Sequence, residues 1–120
     1  MTRPAGYVPA YLHNQGYRVI GVNPMLAARG VELFGEPVRA RLADVEGEYD
    51  MVDVFRRSEQ LAEHEDELGA SRARVIWFQQ GIRDDEVAAR LEAKGKVVVQ
   101  DRCTLAEHRR EGLGRVGSAI

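Results

Sequence analysis

Three times along the chain, a polar stretch with helical spacing meets a glycine and gives way within a few residues to an apolar, β-branched run. Val8–Gln15 leads through Gly16 into Tyr17–Val22 (YRVIGV), and Glu59–Leu68 leads through Gly69 into Arg74–Gln79 (RVIWFQ). Asp85–Lys94 leads through Gly95 into Lys96–Gln100 (KVVVQ). Glycine lacks the Cβ that clashes in the left-handed position just past a helix, so each predicts a helix end. The runs that follow are nearly continuous in apolar residues, the pattern of strands covered on both faces of a parallel sheet. A fourth such run, Asp50–Phe55 (DMVDVF), precedes the second helix.

The helix starts agree with this reading. Ser58 and Asp84 are N-cap residue types, Asp85 and Glu86 put negative charge at a helix N-terminus, and Pro9 is placed near the start of the first helix. Val8, Tyr11 and Leu12 form one apolar face, as do Leu61 with Leu68 and Val87 with Leu91. The acidic run Glu63, Glu65, Asp66 and Glu67 reads as a solvated outer face. Helices alternating with strands at this spacing predict βαβ units, and hence an α/β, Rossmann-like three-layer domain with a mainly parallel sheet. Glu36–Ala40 reads as a short edge strand, Leu42–Val45 as one helical turn and Thr104–Glu111 as a terminal helix. A single domain over residues 1–111 is expected, followed by a flexible tail, 112–120.

Composition narrows the class. At 120 residues the chain can bury roughly two-thirds of its unfolded surface without staples. No apolar run approaches the ~20 residues of a membrane span, and the N-terminus lacks a secretory signal pattern, so a membrane role is not expected. One cysteine, Cys103, allows no internal disulfide, which points to a reducing, cytoplasmic setting. A net charge of −2 removes the main argument for nucleic acid as a partner.

In an open parallel sheet, ligands bind beyond the carboxyl ends of the strands. The runs here end in Asn23-Pro24, Arg56-Arg57, Gln79-Gln80-Gly81 and Asp101-Arg102-Cys103. Two of the four ends carry arginine, whose planar fork suits phosphate oxygens, so placement alone points to a phosphate-bearing ligand. The same stretches carry a resemblance. GYRVIGVNP, DMVDVFRR, VIWFQQGI and VVVQDRCTLAEHRR, in this order from about Arg3 to Arg110, resemble the successive signatures of the bacterial CoA-binding protein family. Its Rossmann domain is similar to the nucleotide-binding domain of the succinyl-CoA synthetase α subunit.

The resemblance implies non-catalytic binding of coenzyme A or a CoA thioester, with CoA or acyl-CoA as the partner. By position, Asn23 and Pro24 would line the adenosine side, and Val54, Phe55 and Arg56 would flank the ligand at the second strand end. Gln79, Gly81 and Ile82 would form a loop near the pantetheine, with Arg3 and Tyr7 near the diphosphate. Family members also begin with a further strand and a glycine-containing phosphate loop, which would lie ahead of Met1, either as part of a longer protein, the reading favoured, or lost in this one. Sheet edges left open by its loss would favour a homodimer.

Other chemistry is thinly signalled. If a helix ran through Cys103, Glu107 would share its face with His108 beside it, but no orienting group or oxyanion donor accompanies them, and no catalytic residue is assigned. His13, His64 and His108 fall at no ligand spacing, so no metal is assigned. Asp50 and Asp53 are an odd number of residues apart on a strand and face opposite ways; Asp53 is expected to bond a neighbouring loop. Trp77 reads as core packing. The alternatives are an assembly module that has lost its ligand and a Cys103-dependent acyl-transfer enzyme. Release of free thiol from acetyl-CoA, or a stable oligomer indifferent to ligand, would discriminate them.

Overall fold

The computed structural model describes residues 4–112, so Arg3 and nearly all of the expected tail lie outside the described residues. The fold is α/β and Rossmann-like, with a three-stranded parallel sheet and a two-stranded antiparallel one. The chain forms two compact units, Met1–Glu46 with Leu105–Ile120, and Gly47–Thr104.

In the first unit, helix α1 (Pro4–Asn14) starts earlier than its apolar face suggested, which places Pro9 inside it. Pro9 offers no N–H to the Ala5 carbonyl one turn back, and Ala5 is exposed, so solvent can serve that acceptor. Gly16, at φ 97°, ends the helix as expected. Its N–H donates to His13 O at 3.0 Å and that of Tyr17 to Leu12 O at 3.2 Å, the paired closure a left-handed glycine permits. Helix α2 (Pro24–Ala28) follows, then the hairpin of β1 (Glu32–Leu33) and β2 (Glu36–Pro37). Both turn residues have positive φ, Phe34 at 55° and Gly35 at 81°, as a type I′ hairpin turn requires. Phe34 stands where Asn is usual, and its ring lies 4.8 Å from that of His13.

Tyr17–Val22 is not the predicted strand. Among the described residues it makes a single parallel bridge, Val22 to Arg39. Apolar patterning reports burial, whereas a strand also needs a partner edge, and the segment that supplies it spends Glu36 and Pro37 on its own hairpin, bridges Val22 only at Arg39 and then enters the 3-10 turn that starts at Leu42. A 3-10 turn at Leu42–Asp44 matches the expected helical turn, and Val8, Val38, Leu42 and Val45 are buried. The terminal helix is α5 (Thr104–Arg110).

The second unit carries the parallel sheet, in the order β3 (Met51–Val54), β4 (Val75–Phe78), β5 (Val97–Val99). The register pairs Val54 with Phe78 and Trp77 with Val99, which sets the three carboxyl ends side by side. Helices α3 (Leu61–Ala70) and α4 (Asp85–Ala93) make the two crossovers, and Leu61, Leu68, Val87 and Leu91 are buried as their spacing predicted. On β4, Ile76 and Phe78 are wholly buried while Val75 and Trp77 on the other face are only partly so. Val97 on β5 is 52% exposed, so this sheet is not sealed on both faces.

Two local expectations are corrected. Gly69 lies within α3 rather than past it, and the helix closes instead through Ser71, whose hydroxyl donates to Leu68 O at 2.7 Å. Ser58 opens a 3-10 turn (Ser58–Gln60) and does not cap it; its hydroxyl accepts from Arg83 N at 2.8 Å. Asp84 caps α4 as expected, accepting from Glu86 N and Val87 N, both at 3.1 Å.

Candidate functional site

Parallel strands in register deliver their outgoing loops to one rim. In the Gly47–Thr104 unit that rim is built from the residues after β3, β4 and β5. Val54 is buried at the end of β3, Phe55 is half-buried, and Arg56 and Arg57 are exposed. After β4, Gln79 is buried, Gln80 and Gly81 are exposed and Ile82 is half-buried. Gln79 N donates to Val54 O at 3.2 Å, so the β3–β4 ladder continues directly into the loops. Six of the residues singled out from the sequence, Val54, Phe55, Arg56, Gln79, Gly81 and Ile82, therefore share this rim.

The loop after β4 is held from both sides. Four successive amides are occupied: Gly81 N donates to Asp101 Oδ1 at 2.6 Å, Ile82 N to Gln79 O at 2.9 Å, Arg83 N to Ser58 Oγ at 2.8 Å, and Asp84 N to Gln100 Oε1 at 2.8 Å. Asp101 sits at φ 56°, a region in which Asp is one of the few side-chain-bearing residues at ease. Its own N–H donates to Ile82 O at 3.1 Å. The Trp77 indole N–H donates to Arg102 O at 2.6 Å, fixing the following loop as well. These N–H groups are aimed at protein acceptors and do not form an anion cradle, so an anion at the rim falls to guanidinium groups.

Beneath the rim lies a closed polar triangle. Gln79 Nε2 donates to Asp53 Oδ1 at 2.5 Å and to Thr104 Oγ1 at 2.7 Å, and the Thr104 hydroxyl donates to Asp53 Oδ2 at 2.8 Å. Burial pushes the Asp53 carboxyl up to about 6 from 3.8, against the bonds from Gln79 and Thr104, which lower it. Asp53 thus bonds its neighbouring loop, as its place on the strand suggested. Thr104 was not singled out and Asp101 was read only as a strand end; a Thr opening a helix and an Asp ending a strand read as local caps, and their partners lie 20 or more residues away in sequence.

The remaining sequence candidates lie in the other unit. Tyr7 is on α1, 40% exposed. Asn23 caps α2, its Oδ1 accepting from Met25 N at 2.9 Å and Leu26 N at 3.1 Å, and Pro24 is the exposed first residue of that helix. Asn23→Ala should therefore lower stability by about 1 kcal/mol, with Asn23→Ser retaining most of it, read from urea midpoints. Of the histidines, His13 lies against Phe34, His64 pairs with Glu67 at 3.5 Å, and buried His108 bonds the Tyr11 hydroxyl through Nδ1 at 2.9 Å. Cys103 lies just ahead of α5, not on it. The helical face proposed for Cys103 and Glu107 does not form.

The sequence family described as CoA binding domain matches residues 1–109, nearly the whole chain. The chain belongs to the CoA-binding domain family. Membership supports a CoA-related role. The chain is 35% identical over 106 residues to the uncharacterized protein YneT of Bacillus subtilis (strain 168), covering 88% of this chain and 76% of that protein. Among solved structures, cell-free ID.343 from Thermus thermophilus is 47% identical, with a TM-score of 0.86 over 91% of this chain and 80% of that one. A hypothetical protein from Pyrococcus horikoshii OT3 is 28% identical, with a TM-score of 0.81 over 91% of this chain and 74% of that one. Among the described residues of this CoA-binding family member, no helix is long and apolar enough to cross a membrane.

Proposed function

We propose that the protein binds coenzyme A or a CoA thioester, without transforming it, at the carboxyl-end rim of β3, β4 and β5. The observation that carries this reading is the rim itself, in a chain of the CoA-binding family: exposed Arg56 and Arg57 beside a loop whose amides are already committed. Guanidinium forks are then the donors for phosphate oxygens. Phe55 offers a half-exposed ring at a strand end, suited to an adenine or to the pantetheine arm. Gly81, at φ 86°, lets the backbone turn where a side chain would be strained, leaving the loop open to a close-lying ligand. Tyr7, Asn23 and Pro24, with Arg3, keep the roles the resemblance implies, each to be tested by its own substitution.

Calorimetric titration and thermal scans with CoA, acetyl-CoA and NAD test the reading. At ~100 times its dissociation constant, CoA should stabilise the chain by about 2.7 kcal/mol. Arg56→Ala should weaken CoA roughly 10- to 100-fold, the worth of one hydrogen bond to a charged group. A melting temperature indifferent to CoA and acetyl-CoA would overturn the proposal, and an equal response to NAD would redirect it to nucleotides in general.

A further inference from the structure

Gln79 is the rim candidate whose side chain is least able to meet a ligand. It is 3% exposed, and both hydrogens of its amide nitrogen are committed to Asp53 and Thr104. We propose that Asp53, Gln79 and Thr104 form a positioning triangle that fixes the rim loops for the ligand and does not itself touch it. The inference rests on the CoA reading for its affinity test.

The triangle closes on itself. The carboxylate accepts two bonds, the hydroxyl accepts one and donates one, and the amide donates two, so the loss of any edge leaves one donor hydrogen and one acceptor site of the set unmatched. Its corners belong to three segments 25 to 51 residues apart in sequence. Each corner also stands within three residues of a rim loop. Asp53 precedes Phe55 and Arg56, Gln79 precedes Gly81 and Ile82, and Thr104 follows Asp101–Cys103. A shift of any corner is therefore passed to the loop beside it. The groups facing the carboxyl are the Gln79 amide and the Thr104 hydroxyl, and no charged side chain contributes to the displacement of its titration. Local packing would be served as well by apolar side chains of similar shape; a matched donor and acceptor set specifies one relative placement of three loops.

The test uses the full chain, with CoA titrated by calorimetry at pH 7.5 and with amide hydrogen exchange followed in the absence of ligand. Thr104→Val removes the hydroxyl and keeps the shape; it should weaken CoA about tenfold, while Thr104→Ser stays within about twofold. Gln79→Leu should do the same, and the double variant should be no weaker than either single one, because the two residues act as a unit. Exchange at Gly81–Asp84 should quicken about tenfold in Thr104→Val without ligand. Additive losses would make Gln79 a contact in its own right, and unchanged exchange at those amides would remove the positioning role; either result overturns the proposal. Asp53→Asn, which turns one acceptor into a donor facing Thr104, gives the same exchange readout should Thr104→Val fail to fold. If the wild type takes up no CoA, the CoA reading falls, while the exchange result still decides the triangle.

Discussion

Replacing Phe78 by Ala is expected to lower stability by about 3–5 kcal/mol, a large share of the 5–15 kcal/mol typical of a domain. Phe78 is wholly buried on the central strand of the parallel sheet. Its neighbours across the ladder cannot close the gap, because Val54 is held opposite it in register and the Phe78 carbonyl accepts from Arg102 N at 3.3 Å. A cavity would remain, adding to the lost transfer energy. Val97→Ala on β5, where the side chain is 52% exposed, is the control and should change stability by no more than about 1 kcal/mol. Urea unfolding of both variants at one pH checks the contrast. Near-equal losses would mean that the buried face of β4 does not carry the core.

Asp53→Asn should abolish a pH dependence worth about 3 kcal/mol. The native carboxyl titrates at about 6 against an ordinary 3.8, so between these values the folded chain holds a proton that the unfolded chain has released. Its contribution to stability is fully present below about 3.8, declines as pH rises through 6, and is gone by about 7. Asn carries no proton to lose. The difference in unfolding free energy between Asp53→Asn and wild type should therefore grow in favour of Asn from pH 4 to pH 7. Subtracting one protein from the other cancels the surface carboxylates such as Glu36 and Glu65, which arginines hold below their ordinary range. A flat difference would show that Asp53 titrates as an ordinary exposed carboxyl. An ionised, partly buried carboxylate is thus a cost at neutral pH that the fold tolerates directly beneath the rim, where a loop-positioning role explains it.

Much was legible in the chain because its signals are local. Gly16 and Gly95 take the left-handed positions that their place after a helical stretch required, and Asp84 caps the helix it precedes. The ends of β3, β4 and β5 were legible too, since strand ends in a parallel sheet fall together whatever the loops contain, whereas the fourth expected end, Asn23-Pro24, opens α2 in the other unit. Tyr17–Val22 shows the limit: its residues are as β-prone as those of Val75–Phe78, yet the first run pairs at one position and the second along its length. The difference lies in the partner, which the run itself does not encode.

Gln79 and Ser58 make the same point for the site. As residue types they are ordinary ligand and cap candidates, and only their surroundings give Gln79 to Asp53 and Thr104, and Ser58 to Arg83. Sequence alone determined the α/β alternation, the order of the strand ends and the arginines placed there, because these depend on periodicity, on glycine's backbone freedom and on position. The tertiary structure decided which polar groups face solvent and which lock one another in place, because a hydrogen bond between residues 25 or 51 positions apart exists only once the strands between them have been set in register.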